Sequence, residues 1–86
     1  MESRTRVALI SIIVERSESA KAINDLLHEY GYYIIGRMGI PYRERNISLI
    51  SVAIDGPADV INALSGKLGM IPFVNIKTIY PKLSDQ

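Results

Sequence analysis

Four extended segments and two helical ones follow one another in the order β-α-β-β-α-β, and that order predicts an α+β fold, the ferredoxin-like sandwich. Right-handed crossovers place the first and third strands in the middle of a four-stranded antiparallel sheet and put both helices on one of its faces. Eighty-six residues suffice for one small domain with one core. Residues 1–86 are therefore read as a single domain, with an ordered core over about 5–81 and a polar C-terminal tail.

The first strand is "VALISIIV", Val7 to Val14, a β-branched run with apolar side chains at both parities, as expected of a strand buried on two faces. After "ERSES", the segment "AKAINDLLHEYG" places Ile23, Leu26, Leu27 and Tyr30 on one helical face. Ser17 or Ser19 can cap that helix, Glu18 suits its positive end, and Gly31 is a natural terminator. "YYIIGRM" resumes extended character, and Ile47 to Ile54 is a clear third strand. Asp55, Gly56 and Pro57 form a turn into "PADVINALSGKLG", where Val60, Ile61, Leu64 and Leu68 share a face and Gly69 ends the helix. "FVNIKTIY", Phe73 to Tyr80, is the last strand.

Between the middle strands, "GRMGIPYRERN" reads as the end of the second strand and its hairpin connection. Gly36 and Gly39 suit a bulge or a close backbone approach, and Pro41 cannot donate a ladder hydrogen bond, so this strand belongs at a sheet edge.

The central strands carry Val7, Leu9 and Ile13 on one parity and Ala8, Ile10, Ile12 and Val14 on the other. With both helices on one side, the second face needs a cover, and a homo-oligomer, dimer or tetramer, supplies one. A monomer remains the alternative, because Ser11, Ser48, Ser51 and Ala53 dilute that face. A hydrophobic content of 48% in so short a chain favours the oligomer.

Composition excludes several functions. Ten basic and nine acidic residues leave a net charge of +1, far from the basic stripe of an autonomous nucleic-acid binder, so direct nucleic-acid binding is not expected. The chain has no cysteine, which removes disulfides, thiolate metal sites and cysteine nucleophiles. The apolar run Val7 to Val14 is too short for a membrane span and ends in Glu15 and Arg16 rather than in a signal-peptide cleavage pattern. The expected location is the cytoplasm, without membrane attachment.

Catalytic groups are scarce. His28 is the sole histidine and has no ligand cluster around it in sequence, so neither a metal nor a cofactor is expected. Asp55 and Asp59 flank the second helix start, where the dipole accounts for them. The central strands lack the aromatics on which RNA-recognition domains stack bases, and no "GxxxxGK" loop or helix-turn-helix is present.

The run "GYYIIGRMGIPYRERNISLISVAIDG", followed by "DVINALSGKLGMIPFVNIKTIY", resembles the family of iron-only hydrogenase system regulators, described as transcriptional regulators found beside hydrogenase maturation genes. The similarity covers almost the whole chain, and "GRMGIPYRER" with "SGKLG" is its most specific part. The resemblance implies an ACT-like domain, related in shape to the C-terminal domain of the nickel-responsive regulator. It also implies an assembly of several copies and a role in gene regulation. Nickel sensing does not carry over, since the hairpin from Gly36 to Ser51 has no histidine or cysteine. Nor is the glycine turn of amino-acid-binding ACT domains present in "ERSES", and no DNA-reading ribbon–helix–helix precedes the strand at Val7.

The resulting expectation is a non-enzymatic regulatory module that binds a small effector or a protein partner; the alternative is a purely structural oligomerisation domain without ligand. Arg37, Arg43, Glu44 and Arg45 are the candidate contact residues, for a ligand or for a neighbouring subunit, because arginine suits carboxylates and phosphates. Ser17 and Ser19 form a second candidate, an anion site beside a helix N-terminus, with capping as the competing role.

Overall fold

The computed structural model describes residues 4–82, so the end of the polar tail lies outside the described residues. Strands β1 (Arg6–Val14), β2 (Ile34–Tyr42), β3 (Ile47–Gly56) and β4 (Val74–Ile79) form one sheet in the order β2-β3-β1-β4, and all neighbouring strands are antiparallel. Helix α1 (Ala20–Glu29) joins β1 to β2, and α2 (Ala58–Gly69) joins β3 to β4. This is the ferredoxin-like arrangement.

The alternation of a strand divides β1 cleanly. Ala8, Ile10, Ile12 and Val14 are buried, whereas Val7, Leu9 and Ile13 remain nearly half exposed at 48%, 45% and 44%. The buried set packs against Ile23 and Leu27 of α1 and Ile61, Leu64 and Leu68 of α2, with Val52 and Ile54 of β3 completing the core. Full burial of such a side chain contributes about 1.5–3 kcal/mol, and here it is concentrated on one sheet face. The opposite face is apolar and open.

Several local features differ from the expectations. Residues Gly31–Tyr33 form a 3-10 turn, and β2 begins only at Ile34. Asp55 and Gly56 belong to β3, not to a turn, and Pro57 precedes the first helical residue of α2 in an extended conformation. The last strand is Val74–Ile79, because Phe73 turns into a left-handed conformation (φ 66°) while its carbonyl accepts the amide of Glu15 at 2.8 Å. The helices do end at the expected glycines, α1 at its cap Tyr30 directly before Gly31 and α2 on Gly69 itself, although no glycine among the described residues is left-handed.

The serine caps are also corrected. Ser19 occupies the N-cap of α1 but makes no capping bond; its hydroxyl donates instead to the carbonyl of Pro72 at 2.6 Å. The buried hydroxyl thereby satisfies a carbonyl in the turn before β4.

Strand β2 is an edge strand with an irregularity near its start. Ile34 pairs with Ile54, but Gly36 pairs with Ala53, so Ile35 is an extra residue bulged from the ladder. The bulge exchanges the faces of everything after it. Arg37 therefore stands opposite Val52, on the side that bears the helices.

Candidate functional site

On the helix-bearing side of β2, the positions beyond Arg37 are Gly39 and Pro41, in rows with Ile50 and Ser48 of β3 and with Ile12 and Val14 of β1. A Cβ added at Gly39 would meet only Cγ1 of Ile50, at 3.9 Å. Such small residues leave the space between β2 and the start of α1 unfilled. The result is an open cleft of about 510 Å³, within the range of small-molecule sites.

Its floor is apolar, formed by Val14, Gly39, Pro41 and Ile50. Its rim combines Arg16, Ser17 and Asn24 from the approach to α1 and its first turns with Arg37, Arg43 and Asn46 from β2 and the hairpin. Three arginines and no carboxylate line this space. The amino end of α1 lies beside it, where the helix dipole adds a partial positive charge.

The arginines are held differently. Arg37 Nη2 donates to Asn24 Oδ1 at 3.0 Å, which fixes one edge of its guanidinium and joins β2 to α1. Arg16 lies over the Phe73 ring at 4.3 Å and reaches Glu18 at 4.0 Å. At the hairpin, the amides of Arg45 and Asn46 donate to the carbonyls of Tyr42 and Arg43, and Asn46 adopts a left-handed conformation (φ 58°) that asparagine tolerates well. That turn brings Arg43 to the cleft.

The candidate residues thus separate into two groups. Arg37, Arg43 and Ser17, drawn from two distant segments, meet around one cleft. Glu44 does not line it: its Oε1 accepts the Tyr42 hydroxyl at 3.1 Å. Arg45 is exposed outside the lining, and Ser19 is buried against Pro72. Sequence reasoning missed Arg16, Asn24 and Asn46. Asn24 had a legible signal, since it sits one turn after Ala20 on the polar side of α1, but its partner depends on the bulge in β2. His28 is exposed on α1, and among the described residues no three His, Cys, Asp or Glu side chains come together as a metal site. No helix among those residues is long and apolar enough to cross a membrane.

Sheet order and connectivity define a small ferredoxin-like domain, the class to which ACT-like modules also belong. Within that class the chain belongs to the TM1266-like family, whose proposed role is that of an iron-only hydrogenase system regulator; the family model matches residues 6–78. The structure is similar to that of uncharacterized protein TM1266 from Thermotoga maritima, with 38% identity and a TM-score of 0.87 over 92% of this chain and 100% of that one. Fold likeness alone extends to a formyltetrahydrofolate deformylase from Pseudomonas putida KT2440, with 12% identity, a TM-score of 0.63 and coverage of 87% of this chain and 29% of that one. It extends also to the divalent ion tolerance protein CutA1 from Ehrlichia chaffeensis, with 21% identity, a TM-score of 0.52 and coverage of 93% and 85%. No functionally curated protein matches the chain.

Proposed function

We propose that the chain is a non-enzymatic regulatory module, acting in the cytoplasm on expression of an iron-only hydrogenase system, whose signal is a small anionic effector bound in the cleft between α1 and the β2–β3 hairpin. The observation that carries this reading is the convergence of Arg16, Arg37 and Arg43 on one apolar-floored cleft without a carboxylate. Arginine offers a planar fork to a carboxylate or phosphate, and Ser17 adds a hydroxyl that can donate to the same anion. The apolar floor suits a ligand that carries a hydrocarbon body behind its charged group.

The family description supports the regulatory side of the proposal. Regulation then passes through a bound effector or a protein partner, because a net charge of +1 gives little general attraction to nucleic acid.

Native mass spectrometry of protein purified from its host tests the proposal directly. The expected result is a retained small anion that disappears from the Arg37→Ala and Arg43→Ala proteins. If nothing is retained, and no carboxylate, nucleotide or inorganic phosphate shifts the melting temperature, the effector reading fails and a purely structural oligomerisation domain takes its place.

A further inference from the structure

The open sheet face has a relief that its register defines. Ile40, Leu49 and Ile13 stand in one row across β2, β3 and β1, and form a ridge of branched side chains. The next row holds Met38, Ser51 and Ser11, so a trough of two small residues runs alongside the ridge and is closed by Met38 at the outer strand. The hollow measures about 240 Å³. In the trough row the charge lies at the far edge, on Lys77 of β4, which leaves the middle of the face uncharged.

A ridge beside a trough on one surface is self-complementary, because a two-fold rotation lays each ridge in the other copy's trough. We propose that this face is the contact through which two copies of the chain pair, sheet against sheet, with all four helices on the outside. Three strands of nine or ten residues and one of six, about 4.8 Å apart, give a face of roughly 20 by 30 Å at its widest. That extent is on the scale of the ~800 Å² of accessible surface that one partner brings to a standard stable interface. An uncharged centre with Lys77 at its margin matches the anatomy of such contacts. Strands β1 and β3, which carry most of the ridge and trough, already have both edges paired, so a peptide strand could add only at the margins of the face, on β2 or β4. This pairing stands independently of any ligand in the cleft.

Sedimentation velocity of the full chain tests it. The expected mass is two or more copies of the 9.6 kDa chain, reduced by Ile13→Glu with an unchanged far-ultraviolet circular dichroism spectrum, and retained by Met70→Glu, whose side chain is exposed after α2. Because the chain has no cysteine, Ser11→Cys gives a single thiol in the trough. A short bis-maleimide should join two copies of that protein and leave Met70→Cys unjoined, a result that stands even if Ile13→Glu fails to fold. A single-chain mass for the wild type at every concentration overturns the proposal and assigns the face to a different partner. An oligomer that survives Ile13→Glu, together with no cross-link at Ser11→Cys, also overturns it.

Discussion

The Ser19 hydroxyl donates to the Pro72 carbonyl at 2.6 Å and ties the entrance of α1 to the turn before β4 across 53 residues of sequence. Ser19→Ala removes the donor and leaves a part-buried carbonyl unpaired, so unfolding free energy should fall by about 1 kcal/mol. Ser17→Ala, two residues away, should leave stability within about 0.5 kcal/mol, because Ser17 is exposed at the cleft rim. Urea denaturation of both variants checks the contrast.

Gly56 ends β3 against the ring of Tyr33. A Cβ at Gly56 would lie 2.9 Å from Tyr33 Cδ1 and 3.4 Å from Cγ. Gly56→Ala must displace the ring and should destabilise the domain by about 1–3 kcal/mol, measured by thermal or urea unfolding. Gly56→Ala combined with Tyr33→Ala should recover part of the strain component.

Adjacent isoleucines on β1 should behave differently. Ile12 is 1% exposed and sits in the core, so Ile12→Ala should lower stability by about 2–5 kcal/mol at any protein concentration. Ile13 is 44% exposed in the single chain, so if two copies pair through the open face as proposed, the effect of Ile13→Ala should grow as protein concentration rises. Unfolding at two widely spaced protein concentrations separates the two responses.

Ligand binding in the cleft should depend on the shape of Arg37 as well as on its charge. Arg37→Lys keeps the charge but loses both the fork and the bond to Asn24. An anion at ~100 times its dissociation constant adds about 2.7 kcal/mol to wild-type stability. Most of that gain should vanish in Arg37→Lys, as read by thermal shift in the presence and absence of the anion.

Lys67 gives the pH profile a sign. Tyr30, first by side-chain hydrogen bonding and then by its charge, holds the Lys67 ammonium above its ordinary value of 10.5, and Glu29, at 3.9 Å, adds to the effect. The folded form therefore binds this proton more tightly than the unfolded form. Its contribution is fully present below 10.5 and is lost as pH rises through the higher folded value, so Lys67→Met should leave the neutral-pH slope of stability unchanged and alter only the strongly alkaline limb.

The sequence made the elements of this fold legible because its patterns are local. Val7 to Val14 carries its two apolar parities openly, and Ile23 and Leu27, or Ile61, Leu64 and Leu68, repeat at helical spacing. Gly36 and Gly39 announced an irregular edge strand, and the ladder slips beside Gly36. What stayed hidden depends on distant partners or on parity. The partner of Ser19 is 53 residues away, and the face occupied by Arg37 follows from one bulged residue, Ile35. Counting alternation straight through that residue would put Arg37 on the open face and disperse the cleft. Arg43 and Ser17 were legible as candidates, but their meeting around shared space required the sheet.

The position of β1 also constrains how the chain is made. It leaves the ribosome before the other strands of this sheet, yet one of its two neighbours, β4, begins 60 residues after β1 ends, from Val14 to Val74. At about 5–20 residues per second, one edge of an aliphatic strand stays bare for roughly 3–12 s of synthesis. A nascent chain can close the β2–β3 hairpin and dock β1 on β3 in that interval, but the β1–β4 ladder waits for β4. Slowing translation ahead of Val74 should therefore lower soluble yield without changing a single contact in the finished molecule.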